Sequence, residues 1–234
     1  MKHVPPPKRH PYNQWSPDAR ALDLVGDKWT LLIVRDLASG PRRFVELQRL
    51  LPGISTEQLR SRLNRMVADG MLTRRRFREV PPRVEYELTE RARGLMPVIG
   101  ELARWGYEWT WTSPRASEEV DIDAIFRLAP GLMRPPRELR GALELTIEDA
   151  REGEPVSFVL SAAGGQTRIE ETRADEARAR ITGPTAAWVR AFSPAGDLGG
   201  LRISGDRTFA ALMLEGLGPA VQRPASQASG VSAA

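Results

Sequence analysis

The amino-acid sequence predicts an α+β protein, and three patterns lead to this fold class. The N-terminal half has mainly helical periodicity, interrupted by one pair of arginine-rich, alternating runs. A short polar stretch then changes the composition, and beyond it alternating runs follow one another as the strands of a sheet do. The 234 residues are enough for one large or two modest domains. We divide them into a flexible basic arm, a helical domain with a ribbon, a linker, an antiparallel sheet with helices, and a disordered tail, at residues 1–14, 15–112, 113–119, 120–216 and 217–234.

The first predicted helix spans Asp18–Leu37, where apolar residues recur at helical spacing. Trp15 and Trp29 are predicted to be core or packing residues, which is the usual role of tryptophan, and not ligand contacts. Gly40 and Pro41 then end the helix, because this pair of residues breaks helical structure.

Two shorter helices joined by a tight turn follow. The first covers about residues 44–51 and stops at Pro52 and Gly53. The second begins at a capping box formed by Ser55 and Gln58, and it ends at Gly70, which suits the left-handed position after a helix. Its apolar stripe consists of Leu59, Leu63, Met66 and Val67. The two helices have the spacing of a helix-turn-helix motif.

A basic two-stranded ribbon is predicted after the second helix. Arginines dominate its first run, Pro81 and Pro82 form a turn, and apolar residues alternate with polar ones in its second run. The arginines of the ribbon are Arg74, Arg75, Arg76, Arg78 and Arg83. A helix-turn-helix motif followed by such a ribbon predicts a winged helix-turn-helix domain.

This domain type predicts how the chain would contact double-stranded DNA. The second helix would bring its N-terminal residues to base edges in the major groove, and the ribbon arginines would mostly contact phosphates. Ser55 and Thr56 are candidates for holding a phosphate with the free N–H groups of the helix start. Arg can pair with guanine and Gln with adenine. The candidates for base edges are Gln58, Arg60, Ser61 and Arg62, and Arg65 completes the predicted DNA-binding set.

The last helix of the N-terminal half is predicted to run from Thr89 to about Trp111. It carries more apolar residues than a small domain can cover alone, which favours burial against a second copy of the chain. The residues predicted to form this dimer interface are Leu95, Ile99, Leu102, Trp105 and Trp109. The alternative is that the stripe packs on the first helix or on the C-terminal domain of its own chain.

Three runs of the first half occur in sequence: GDKWTLLIVRDLASGPRRFVELQRLLPGIS, LRSRLNRMVADGMLTRR and VPPRVEYELTERARGLMPVI. Together they resemble the HxlR family of bacterial winged-helix transcriptional regulators, over about residues 12–111. The resemblance implies a homodimer that binds a near-palindromic operator. Many relatives have a cysteine directly before a proline near the N-terminus. Here Ser16 precedes Pro17, so the resemblance implies no thiol switch in this chain.

Charge and composition exclude several classes of site. Residues 1–113 carry 20 Lys and Arg against 13 Asp and Glu, a net of +7, whereas the rest carries 14 against 17, a net of −3. This asymmetry favours an anionic partner for the first half. Only three of the 34 basic residues are lysine. Genome composition alone can produce such a bias, so arginine richness itself is weak evidence for DNA reading. The absence of cysteine excludes disulfides, thiolate catalysis and Cys-ligated zinc.

The sequence has neither an apolar run long enough for a membrane span nor a signal-like apolar core in residues 1–13. We therefore expect a cytoplasmic protein.

The C-terminal half has the periodicity of strands. A helical stretch at about residues 120–129 precedes four alternating runs, around residues 143–147, 156–160, 169 and 177–181. A helix, a short strand and a final helix follow at 184–192, 201–204 and 207–214. Because short turns join most of the runs, we predict an antiparallel sheet.

This order ends in ITGPTAAWVRAFSPAGDLGGLRISGDRTFAALMLEGL and resembles the sterol carrier protein-like domains over about residues 120–216. The resemblance rests mainly on LRISGDRTFAALML. It implies an apolar tunnel between sheet and helices for a small apolar or amphipathic ligand. The residues that would line it are Trp188, Phe192, Phe209, Leu212 and Met213. An ordinary packed core is the alternative for each of them.

No pattern in the sequence predicts catalysis, a metal site or a cofactor. The two histidines, His3 and His10, both lie in the N-terminal arm. Acidic residues at 118–123 and 149–154 have no histidine nearby and are predicted to be solvated surface. The glycine pairs at 164–165 and 199–200 lack the Lys-Ser/Thr of a phosphate loop and are predicted turns. We therefore expect a protein that is not an enzyme.

These observations lead to one main hypothesis and two alternatives. The main hypothesis is a dimeric, sequence-specific DNA-binding transcriptional regulator whose C-terminal domain senses a small apolar ligand. The first alternative is a lipid-binding or carrier protein with an accessory winged-helix docking module, which would lack sequence-specific DNA binding. The second is a protein-interaction adaptor, which has no use for the cluster of arginines on the ribbon.

Overall fold

The computed structural model describes residues 11–78, 82–151, 153–193 and 196–218. Most of the predicted arm and tail, and Pro81 of the predicted ribbon turn, lie outside these residues. The elements of the N-terminal half are α1 (Pro17–Val25), α2 (Thr30–Asp36), β1 (Arg42–Arg43), α3 (Phe44–Leu50), α4 (Thr56–Ala68), β2 (Leu72–Phe77), β3 (Arg83–Leu88), α5 (Glu90–Arg93) and α6 (Met96–Trp109). The three strands form an antiparallel sheet in the order β1-β3-β2.

The prediction of one helix over residues 18–37 is wrong, because two helices lie there. The backbone N–H of Gly26 donates to the Leu22 carbonyl at 2.7 Å and ends α1. Asp27 Oδ1 then accepts hydrogen bonds from the backbone N–H groups of Trp29 and Thr30, at 2.9 and 3.1 Å, and these bonds support the start of α2. Trp29 packs on the N-terminal core, as predicted.

Trp15 is not a core residue. It is 89% exposed, so the prediction for this tryptophan is wrong. It lies just before the N-cap of α1, where none of the described elements covers it.

The long helix predicted from Thr89 is also divided. Thr89 Oγ1 accepts a hydrogen bond from the Ala92 N–H and caps α5, as predicted, but α5 ends at Gly94. Pro97 lies at the start of α6, where the missing N–H of proline costs the helix no hydrogen bond.

The C-terminal half consists of helices packed on one face of a five-stranded sheet. Its elements are α7 (Ile122–Arg127), α8 (Ala129–Leu132), β4 (Gly141–Arg151), β5 (Glu154–Ala163), β6 (Gln166–Glu170), β7 (Ala179–Gly183), α9 (Thr185–Ala191), β8 (Arg202–Gly205) and α10 (Arg207–Glu215). The strand order is β6-β5-β4-β7-β8. The predicted elements therefore occur at nearly the predicted positions.

The sheet is mixed, so the prediction of an antiparallel sheet is wrong in one place. Strands β4, β5 and β6 pair antiparallel, but β7 lies parallel to β4, with Leu145 opposite Ile181. Strand β6, which precedes β7 in the chain, runs in the same direction as β7, and two strands of the same direction cannot be joined by a hairpin turn. Residues 171–178 therefore cross the sheet, and the Ala174 N–H donates to Glu144 on the face of β4 opposite the main core.

Two hydrophobic cores lie side by side, one in each half. Leu128 packs against both of them. Helices α6 and α8 approach so closely that a Cβ added to Gly100 would lie 2.2 Å from the Gly131 carbonyl oxygen. Only glycine at both positions permits this distance between the two backbones. The halves are therefore in direct contact through α6 and α8.

Buried ionic side chains form a second contact between the halves. The guanidinium of Arg127 is fully buried and lies 3.0 Å from Asp123 Oδ2, 3.7 Å from Asp36 Oδ1 and 3.6 Å from Glu171 Oε2. Glu171 also pairs with Arg42. Burial raises the pKa of Asp36 and lowers the pKa of Arg127, because a low-dielectric interior disfavours both charged forms. We call these five residues the ionic cluster. Asp123, which was predicted to be solvated, is part of it.

Candidate nucleic-acid interface

The turn between α3 and α4 positions the predicted recognition helix. Gly53 adopts a φ of 84°, which favours glycine, and allows the chain to reverse within a few residues. Ser55 then caps α4. Its Oγ accepts from the Gln58 N–H at 3.2 Å, while Gln58 Oε1 accepts from the Ser55 N–H at 3.1 Å. The predicted capping box is therefore confirmed.

Helix α4 has one buried and one exposed face. Leu59, Leu63 and Met66 are buried in the N-terminal core, as their spacing predicts. The opposite face at the start of the helix is exposed and polar. Its exposed residues are Ser55, Thr56, Glu57, Gln58, Arg60 and Ser61. This face is accessible along the first two turns, where a recognition helix contacts base edges.

Glu57 is a candidate contact that the sequence reasoning missed. Its side chain is 82% exposed and pairs with Arg60 at 3.3 Å, with both groups directed away from the core. A glutamate can accept a hydrogen bond from the amino group of cytosine. Its position in the sequence, one residue before Gln58 on the first turn of the helix, could have identified Glu57 as a candidate.

Arg62 does not lie on the exposed face with Arg60. Its guanidinium is 3.0 Å from Asp27 Oδ2, and the side chain is only 29% exposed. The same carboxylate starts α2, so this ion pair fixes the packing of α4 on the α1–α2 turn. The structure therefore places Arg62 at an internal contact, which argues against the predicted role at base edges. Arg65 is half-buried and also has an interaction partner.

One face of the ribbon, or wing, is balanced by its own acidic residues. In the β2–β3 pair, Arg75 lies opposite Glu85, and its guanidinium is 3.0 Å from Glu87. Arg83 pairs with Glu85 at 3.1 Å and lies over the Phe77 ring, 4.3 Å from its centroid. These contacts hold both arginines along the ribbon.

Arg74 and Arg76 alternate with Arg75 and point to the other face of β2. Both are exposed, and none of the described carboxylates lies within ion-pair distance of either. Arg78 at the end of the strand is exposed as well. The positive charge that the wing presents to a partner therefore comes mainly from these three positions.

The residues predicted for a dimer interface fall into two groups. Ile99 is buried and Leu95 is half-buried against the core of their own chain. Leu102, Trp105 and Trp109 are 54%, 55% and 67% exposed, and Val98 on the same helix is 52% exposed. Helix α6 thus buries one apolar edge internally and presents another to solvent.

The predicted ligand tunnel in the C-terminal half is filled by side chains. Trp188, Phe192, Phe209 and Met213 are at most 2% exposed, and the Trp188 indole N–H donates to the Thr146 carbonyl at 3.1 Å. Phe126 makes edge-to-face contacts with Trp188 and Phe192. Leu212, by contrast, is 41% exposed. Two cavities among the described residues are lined by other side chains, and the burial of four of the five residues agrees with the packed-core alternative.

A capped helix with an exposed polar face, packed at a tight turn and followed by a basic ribbon, defines a winged helix-turn-helix domain of the DNA-binding class. The comparisons with known proteins agree with this class. The model of the HxlR-like helix-turn-helix family matches residues 24–114.

Individual relatives match the same region. The uncharacterized HTH-type transcriptional regulator YvaP of Bacillus subtilis is 37% identical over 90 residues, which are 38% of this chain and 83% of the relative. The uncharacterized HTH-type transcriptional regulator BH0655 of Halalkalibacterium halodurans is 42% identical over 94 residues, which are 40% of this chain and 83% of the relative. The structure titled redox regulator HypR in its oxidized form is 34% identical and has a TM-score of 0.40, covering 42% of this chain and all of that one.

The chain belongs to the HxlR-like helix-turn-helix family and is a transcriptional regulator with a helix-turn-helix DNA-binding domain. The match to the family ends at residue 114, before the five-stranded sheet begins. None of the described helices combines the length and the apolar composition that crossing a bilayer requires.

Proposed function

We propose that the protein binds a near-palindromic operator as a homodimer, and that its C-terminal half makes this binding respond to a small ligand. The observation that carries the proposal is the exposed polar face of α4 together with the exposed wing arginines Arg74, Arg76 and Arg78. A fold that used this surface only for packing would bury it.

The structure supports a specific division of contacts. Gln58, Arg60 and Ser61 read base edges, because they lie on the exposed first turns of α4. Ser55 and Thr56 hold a phosphate at the start of that helix. The phosphate contacts of the wing are made by Arg74, Arg76 and Arg78, while Arg75 and Arg83 mainly stabilise the ribbon.

A second copy of the chain is the proposed occupant of the exposed edge of α6. Three large apolar side chains there, Leu102, Trp105 and Trp109, are more than half exposed on one helix. Such a patch usually indicates an interface. A two-fold axis through it would relate two copies of α4, which suits two half-sites about one DNA turn apart.

In vitro selection from a random duplex library tests this proposal. We expect enrichment of an inverted repeat whose half-sites are centred about one helical turn, or a small multiple of it, apart. A library that shows no enriched sequence after repeated rounds would contradict sequence-specific binding. Enrichment of a single half-site without symmetry would contradict the proposed dimer but not sequence-specific binding.

For the C-terminal half we propose a sterol carrier protein-like domain that controls the DNA-binding half. The support is the order of its elements, which agrees with the order predicted from the sequence. The lipid-carrier alternative requires an apolar tunnel, and the side chains predicted to line one are packed together instead. We therefore look for the ligand site outside this packed core.

A further inference from the structure

A cavity of about 570 Å³ lies between the two halves of the molecule. Helix α2 and the turn between α3 and α4 form one side of it. The segment that leads into α7, the end of β4 and the start of α9 form the other. Cavities that bind small ligands commonly have this size and lie at boundaries between domains.

The walls of this cavity are largely apolar. Trp29, Leu32 and Leu50 line it from the N-terminal half, and Ile122 and Ile147 from the C-terminal half. None of these five side chains contributes a charge, and Trp29 offers a flat aromatic surface. Such walls favour a ligand with an apolar chain or ring.

The charged residues at the cavity are unevenly paired. Arg35, Asp121 and Asp123 also line the cavity, but each of them already forms an ion pair within or beside the ionic cluster. Lys28 and Arg49 are exposed cations without a carboxylate partner among the described residues.

The Lys28 ammonium lies 4.7 Å from the centroid of the Trp29 ring, at the edge of the apolar wall. Glu119 is the one lining carboxylate outside the ion pairs of the described residues. The six charged lining residues balance in number, three cations against three carboxylates, but those outside ion pairs are two cations and one carboxylate, so the excess unpaired charge is positive.

We propose that this cavity binds a small amphipathic anion, an apolar chain or ring that carries one carboxylate. The apolar part packs against Trp29 and Leu32 of one half and Val120 of the other. Lys28 and Arg49 hold the carboxylate at the rim. The inference rests on the ligand control proposed above, for which it names the site and the ligand class. Because the cavity borders the turn before Ser55, a ligand there touches both the C-terminal half and the segment that positions α4.

Calorimetric titration of the full chain tests the site directly. The probes are decanoate and 2-naphthoate, each compared with its neutral alcohol, 1-decanol and 2-naphthalenemethanol. We expect at least one of the two acids to bind at one site per chain, and at least tenfold more tightly than its alcohol, because only the acid can pair with the two cations.

Three variants locate the site. Lys28→Ala combined with Arg49→Ala removes the cations, and we expect it to weaken the acid at least tenfold without changing the alcohol. Val120→Trp places a large side chain at the cavity from a half-exposed position, and we expect it to abolish binding of both. Arg20→Ala, an exposed arginine of α1 outside the cavity, is the matched control and should leave the affinity unchanged.

The outcomes separate this inference from the proposed function. Failure of both acids to bind, or binding that neither Val120→Trp nor the double variant weakens, overturns the proposed site even if the protein binds its operator. Operator affinity is measured in the same samples by fluorescence anisotropy. Acid binding that depends on Lys28 and Arg49 supports the proposed site. If such binding leaves operator affinity unchanged, the result contradicts only the proposal that a ligand controls DNA binding.

Discussion

At the scale of single residues, Arg60 and Arg62 have different roles although they are two positions apart. Arg60 is exposed beside Glu57, whereas Arg62 is paired with Asp27. The helical pattern of α4 shows that both residues avoid the apolar stripe. It does not show that a carboxylate distant in sequence lies next to one of them, so the partner of Arg62 was not predictable from local periodicity.

Replacing the two arginines one at a time separates the recognition of bases from the packing of α4. We expect Arg60→Ala to lose about 1–3 kcal/mol of preference for the operator over a base-substituted duplex. Arg62→Ala should keep that preference and lower the free energy of unfolding by up to about 1 kcal/mol, because it removes a partly exposed ion pair. Competition binding and urea denaturation measure the two effects. Loss of operator preference in Arg62→Ala alone would contradict the assignment.

The buried carboxylate of Asp36 predicts a pH dependence of stability. Burial raises its pKa in the folded protein above the value in the unfolded chain, so the folded state keeps the proton to higher pH. Its contribution to stability is therefore present at low pH and is lost as the pH rises through the raised pKa.

We expect Asp36→Asn to remove this pH dependence, so that, as the pH rises above the ordinary pKa of an aspartate, the free energy of unfolding falls less in the variant than in the wild type. Urea denaturation at several pH values measures it. Asp175→Asn, at an exposed position, is the control and should follow the wild type. Parallel pH profiles of Asp36→Asn and the wild type would show that Asp36 does not titrate in this way.

At the scale of elements, the sequence predicted most helices and strands because their signals are local. The capping box of α4, the left-handed Gly53 and Gly70, and the alternation in the strands all act within a few residues. The parallel pairing of β7 with β4 depends on where the crossover at 171–178 runs, which alternation does not record. Likewise, the apolar spacing of α6 predicted a stripe but not which edge its own chain covers.

The exposed edge of α6 gives a testable difference between two leucines. We expect Leu102→Glu to convert the dimer to monomer at micromolar concentration, because it places a charge in the proposed interface. Leu212→Glu makes the same change at a 41% exposed leucine on α10, outside the proposed interface, and should leave the dimer intact. Sedimentation velocity measures both. A dimer that survives Leu102→Glu would place the interface elsewhere.

At the scale of the whole molecule, the two halves are joined by backbone contact as well as by charge. Gly100 of α6 and Gly131 of α8 allow the close approach, and the ionic cluster lies at the same boundary. The sequence indicated a composition break at residues 113–119 but not this contact, since a single glycine in a helical pattern does not reveal what approaches it. The cavity between the halves was unpredictable for the same reason.

Two alanine substitutions on α6 test the contact between the halves. A Cβ at Gly100 would meet the Gly131 carbonyl at 2.2 Å, so we expect Gly100→Ala to cost about 1–3 kcal/mol of stability. A Cβ at Gly106 meets only Thr110 Oγ1, at 3.7 Å, so Gly106→Ala should be neutral or stabilise by about 0.5–1 kcal/mol. Urea denaturation at one protein concentration compares them. Equal stability of the two variants would argue against a tight contact.

The most direct test of the proposed function is a mobility shift with the purified full chain and the intergenic DNA beside its own gene. It is run at two salt concentrations with unrelated duplex as competitor. We predict a complex of one dimer that resists competitor and weakens with salt, and whose salt dependence becomes shallower in a variant with Arg74→Ala and Arg76→Ala. Binding no tighter than to competitor, or a salt dependence that the two wing arginines do not influence, would contradict the account of how α4 and the wing contact DNA.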